Sequence, residues 1–179
     1  SGLLELMELD SASASEVSAS VKLEDLVPGI VSTYQPLAEE KGVQLGYTIP
    51  TGFPPIACPP GWLRQIIINL LNNSLQFTPS GGKVFVQSSL RDDNVELIVT
   101  DTGVGIDMKD LSKIFNSFYR GRTAIHEQVS GAGLGLTIVQ QLIRRCGGSI
   151  SANSRVGKGS SFRVILPVIP MELQQLSDR

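Results

Sequence analysis

Along this chain, apolar residues recur at helical spacing in some stretches and alternate at strand spacing in others. From Val21, "VKLEDLVPGIVSTYQPLAEEKG" reads as a short strand and then a helix that stops at Lys41 and Gly42. "VQLGYTI" alternates as a strand. "PTGFPPIACPP" is a loop whose last residue, Pro60, suits the first turn of a helix. That helix, "GWLRQIIINLLNNSLQFT", is closed by Pro79 and "SGG". "KVFVQSSL" and "NVELIVT" are strands joined across "RDDN" as a hairpin. "MKDLSKIFNSF" is predicted as a short helix, and "LGLTIVQQLIRRC" as a longer one ended by Gly147 and Gly148. "SISANSRV" and "SSFRVILPV" pair as strands about a "GKG" turn. Between the last two helices, "YRGRTAIHEQVSGAG" is long, polar and glycine-punctuated, as a mobile loop would be. Strands interleaved with a few longer helices predict an α+β fold, a two-layer α/β sandwich with helices on one face of a mixed sheet.

The helix around residue 70 poses a chemical question. On a 100° wheel, Leu63, Ile66, Ile67 and Leu70 share one face, and Gln65, Asn69, Asn73 and Gln76 form a narrow stripe on another. A merely solvated face usually carries Lys and Glu, yet this stripe has no charge. Side-chain amides offer both donors and acceptors, which suits a polyphosphate with a hydrated Mg²⁺. Asn72 falls off the stripe and reads as a surface amide.

Composition narrows the function classes. The 179 residues are 41% hydrophobic, enough for one globular domain with a core. Fifteen basic residues face seventeen acidic ones, for a net charge of -2, so no basic face for nucleic acid is expected. No apolar run nears the roughly 20 residues that span a bilayer, and a cytoplasmic location is expected, with a membrane anchor left open for the full-length protein. Cys58 and Cys146 show neither metal-site nor redox spacing, and read as idle thiols in a reducing compartment.

Two glycine loops sharpen the nucleotide reading. "DTGVGID" follows a strand and places Asp101 where a carboxylate can accept from an exocyclic amine, with Gly103 and Gly105 allowing close approach of the backbone. "GAGLGL", residues 131–136, opens a helix whose free N–H groups suit phosphate. Neither loop is specific alone. Their order is: amide-bearing helix, "DxGxGI", "IFxxFYR", "GxGLGL", "GKGSSF". In that combination, from Val21 to Pro167, the chain resembles the ATP-binding catalytic domain of sensor histidine kinases, a superfamily shared with DNA gyrase and mismatch-repair ATPases.

The resemblance implies the Bergerat fold over residues 21–170, Mg²⁺ held by Asn73, and Asn69 beside it. It implies that Asp101 reads the adenine amine, with Ser161 supporting the base through water. Residues between Phe118 and Gly131 would be the ATP lid, hinged by Gly131, Gly133 and Gly135, with Phe115 and Phe118 anchoring its near end and Arg120 reaching the phosphates. Gln76, Phe77, Gly103, Gly105, Ile106, Leu134 and Leu136 would complete the surroundings of the nucleotide. Phe77, Phe115 and Phe118 read as core or lid packing rather than as base-stacking groups. Arg120 and Arg122 read equally well as solvated.

Hydrolysing relatives carry Glu at the position of Asn69, one helical turn before the metal-binding Asn, and an amide is no base for water. Phosphoryl transfer to a histidine on a separate dimerisation domain, then to a response regulator, is therefore expected, with the whole protein a homodimer. The only histidine, His126 in "TAIHEQV", lacks the Arg-x-Pro-Leu of an acceptor box and sits in the lid. Residues 1–20 read as the end of a dimerisation helix and a linker, so the acceptor is expected outside this sequence. Residues 171–179 read as a tail. Two departures stand out. Gln76 replaces a common Lys, and Cys58 stands where Asp is usual. Gln76 keeps open a non-catalytic ATP-sensing module of the same fold. A serine kinase of the anti-sigma type would lack "IFxxFYR".

Overall fold

A computed structural model of the chain describes residues 19–119 and 133–169. In chain order the elements are α1 (Leu23–Glu40), β1 (Gln44–Thr48), α2 (Pro60–Phe77), β2 (Lys83–Arg91), β3 (Asn94–Asp101), α3 (Met108–Leu111), α4 (Gly135–Arg145), β4 (Ser149–Arg155) and β5 (Gly159–Pro167). One five-stranded sheet has the order β1-β2-β3-β5-β4. β1 runs parallel to β2, and every other neighbour is antiparallel. The mixed two-layer sandwich expected from the periodicity is what forms.

The core is where the two layers meet. α2 buries Leu63, Ile66, Ile67 and Leu70 completely, the face drawn on the wheel. α1 adds Leu26, Val27, Ile30 and Val31, and α4 adds Ile138, Val139, Leu142 and Ile143. Against them the sheet presents Val84 and Val86, Val95, Leu97 and Val99, and Phe162, Val164 and Leu166. These alternate along each strand, as a sheet covered on one face requires. The amides Gln65, Asn69, Asn73 and Gln76 are half-buried, and Asn72 is exposed.

Three local expectations change. Val21 does not start a strand: it makes a single bridge to Ile56, which bridges in turn to Val168. The helix predicted over "MKDLSKIFNSF" ends after Leu111. Beyond it the backbone is claimed by tertiary partners, since Thr137 Oγ1 donates to the Phe115 carbonyl (3.1 Å) and Phe118 takes a positive φ of 62°. The cysteines are not idle thiols. Cys58, just before α2, and Cys146, just after α4, form a disulfide with 5.3 Å between their Cα atoms. The spacing of 88 residues hides what the packing of α2 beside α4 brings together, and the inference of a reducing compartment loses its basis. Among the described residues, no helix is long and apolar enough to cross a membrane.

Candidate functional site

β3 ends on Asp101, which is 5% exposed. Its Oδ1 accepts from the N–H of Gly103 (2.9 Å) and of Ser160 (3.1 Å), and Oδ2 accepts from Ser74 Oγ (3.4 Å). Burial pushes its carboxyl up from the ordinary value, while those three donors pull it back. A carboxylate has about four acceptor positions. The protein fills three, so one remains for a ligand donor.

The loop after β3 folds beneath the C-terminal end of α2. Val104 N–H donates to the Phe77 carbonyl (3.1 Å), so Phe77 enters the site through its backbone while its ring is half-buried. Gly105 has φ +73°, and a Cβ there would collide with the Arg155 carbonyl, so this turn requires glycine. Ile106 packs against the core, and its N–H donates to Ser154 Oγ (2.8 Å).

Ser161 is not where the sequence reading put it. In the β3–β5 register Asp101 faces Ser160, while Ser161 faces Thr100, whose Oγ1 lies 3.3 Å from Ser161 Oγ. Directly opposed residues share a face and successive residues alternate, so Ser161 projects from the side of the sheet opposite Asp101. Ser160, 8% exposed, is its replacement in the site. Ser74 was missed as well. It lies on the buried face of α2, and a lone hydroxyl in that apolar stripe was the available signal.

The described residues on either side of 120–132 meet. Phe118 N–H donates to the Gly133 carbonyl (3.1 Å), and Tyr119 Oη donates to Asp110 Oδ1 (2.8 Å). Phe118 itself is 65% exposed, so its backbone rather than its ring fastens this end. Gly133 has φ +70°, and a Cβ would lie 2.9 Å from the Tyr119 carbonyl oxygen. Phe115 packs against the core. Leu134 is buried and Leu136 packs on the core, so both shape the first turn of α4 from within. Arg120, Arg122, His126 and Gly131 lie outside the described residues.

Asn69 connects the two halves. Its Nδ2 is buried and has no hydrogen-bond partner among the described residues. Its Oδ1 would lie 3.5 Å from a Cβ on Gly135, so the amide rests against the start of α4. An unpaired buried donor costs about 1–3 kcal/mol. A phosphate oxygen there would relieve it. Ser74 is five residues on, about 7.5 Å along the helix. α2 thus carries Ser74 against Asp101 at one end and Asn69 against Gly135 further back. Asn73 lies between them, half-buried, with a side-chain oxygen that could serve a cation, and no cluster of three His, Cys, Asp or Glu able to hold a metal occurs among the described residues. A Mg²⁺ here fits as a guest of the phosphates rather than of a protein cage.

Comparison with known proteins agrees with this geometry. Residues 59–170 match the histidine kinase-, DNA gyrase B- and HSP90-like ATPase family. The chain belongs to that family. Within it, the chain is similar to the circadian input-output histidine kinase CikA of Synechococcus elongatus, 42% identical over 108 residues, covering 60% of this chain and 14% of CikA. It is 31% identical over 170 residues to the adaptive-response sensory kinase SasA of a Synechococcus species, covering 93% of this chain and 45% of SasA. Full-length ShkA, solved in complex with AMPPNP, superposes with a TM-score of 0.78 at 31% identity, over 94% of this chain and 35% of ShkA. The chain spans less than half the length of these relatives. It is an ATP-binding catalytic domain of the sensor histidine kinase type.

Proposed function

We propose that this domain binds Mg-ATP and presents its γ-phosphoryl to a histidine on a separate dimerisation domain, from which a response regulator is charged. The observation that carries the reading is the buried, unpartnered Asn69 amide against the first turn of α4. A donor left unsatisfied at a helix N-terminus suits an anionic group, and an amide at this position cannot activate water. Asp101 would accept from the adenine amine, with Ser160 and Ser74 around it. Asn73 would supply one oxygen to Mg²⁺, whose role when bound is to neutralise phosphate charge. Asn69 and the N–H groups of Gly135 and Leu136 would hold the phosphates, and Arg120 from the lid would reach them. Catalysis is then positioning and charge stabilisation. ShkA's complex with AMPPNP supports the nucleotide.

In this reading residues 21–170 are the catalytic domain, residues 1–20 the end of a dimerisation helix with its linker, and residues 171–179 a tail. The whole protein works as a homodimer. The test is to mix the domain with a matching dimerisation domain and γ-labelled ATP. Acid-labile, base-stable label on the dimerisation domain is expected. Release of phosphate without label, or acid-stable label, would exclude a histidine kinase. Gln76, in place of a lysine, favours one rival: a module that binds ATP without transferring it. Tight ATP binding with no label on any acceptor would identify that case.

A further inference from the structure

Ser154, on β4, has no part in the nucleotide reading, yet three polar atoms converge on its hydroxyl. The Ile106 N–H lies at 2.8 Å, the Gly159 carbonyl at 2.8 Å and Ser160 Oγ at 2.9 Å. A hydroxyl has one proton and two lone pairs. The Ile106 N–H can only donate, so it occupies one lone pair. The Gly159 carbonyl can only accept, so it takes the proton. Ser160 is left with the second lone pair of Ser154, and its own proton must fill that contact. The Ser160 hydroxyl then has no proton for a ligand. Asp101, opposite Ser160 in the ladder and bound to its N–H, likewise offers only acceptors when ionised.

The geometry points to Ser154 as a positioning residue for base selectivity. By taking the Ser160 proton, it turns Ser160 and Asp101 into a pair of acceptors that reward an exocyclic amine at purine position 6. The inference rests on the ATP reading of the site. Ser154 acts only through Ser160, and it also joins the loop after β3 to the β4–β5 turn. A residue that merely joined them would, when lost, weaken all purine nucleotides alike.

The experiment measures that difference as a ratio. Binding of ATP is compared with binding of purine riboside triphosphate, which lacks only the 6-amine. The parent should prefer ATP. In Ser154→Ala the preference should fall at least threefold, because the freed Ser160 hydroxyl can turn its proton toward the base. Thr and Val have nearly the same shape, and both suit a strand. Ser154→Thr should therefore keep the preference and Ser154→Val should lose it, which gives a second comparison should the alanine variant not fold. An unchanged ratio in Ser154→Ala or Ser154→Val, whatever happens to absolute affinity, overturns the inference. So does a parent that binds both analogues equally. A parent that binds neither removes the ATP reading itself, and this inference with it.

Discussion

Replacing Asp101 by Asn separates binding from stability. The amide in Asp101→Asn would keep an oxygen for the N–H groups of Gly103 and Ser160 and place an NH₂ where Oδ2 was, beside Ser74. Ser74 can accept as well as donate, so the network inside the protein survives. The adenine amine, however, would meet a donor. A hydrogen bond to a charged group contributes about 1.5–3 kcal/mol, and each 1.4 kcal/mol is tenfold in affinity. ATP should therefore bind about 10- to 150-fold more weakly to Asp101→Asn. Stability should move the other way. Burial raises the folded-state pKa of Asp101 above its unfolded value. The folded state then holds the extra proton, and stability is lost as pH rises from the unfolded pKa to the folded one. Asn carries no such cost, so the ligand-free variant should melt no lower than the parent at pH 7, and the stability difference should close in acid. ATP binding to the parent should weaken as pH falls through the raised pKa. Calorimetric titration and thermal melts across pH measure both. ATP affinity within twofold of the parent would refute the assignment of Asp101 to the adenine amine.

Asn73→Ala should weaken Mg-ATP far more than metal-free ATP, measured by calorimetry with and without Mg²⁺; equal losses would remove Asn73 from the metal. Gln76→Lys should tighten ATP while leaving adenosine unchanged, since a charge-assisted contact to phosphate is worth about 1.5–3 kcal/mol; no gain would mean that this position points elsewhere or that an arginine of the lid already fills its place. The Cys58–Cys146 bridge closes a separation of 88 residues, which by chain entropy stabilises by about 4–5 kcal/mol. Melting under reductant should fall by about 10–20 °C, and an unchanged melt would show that the bridge contributes nothing. The chain incubated alone with γ-labelled ATP should stay unlabelled, and stable label on His126 would contradict the acceptor's being elsewhere.

Some of this protein was legible in the order of its residues. The buried face of α2 follows from helical geometry alone, because residues three and four apart must share a side. So does the amide stripe that holds Asn69 and Asn73. The β2–β3 hairpin is equally local, and Asp101 before "TGVG" announced both a strand end and an acceptor. Tertiary structure decided what depends on distant partners. Whether Ser160 or Ser161 joins Asp101 turns on the register of β5 against β3, where one residue of slip exchanges the two faces. The disulfide needed α2 and α4 to pack before residues 88 apart could meet. The helix after Asp107 stopped early because the Phe115 carbonyl and the Phe118 N–H found partners at Thr137 and Gly133, a competition no local propensity records. The proton order at Ser154 exists only where β4, β5 and the loop after β3 converge, since a hydroxyl's direction is set by all its neighbours at once.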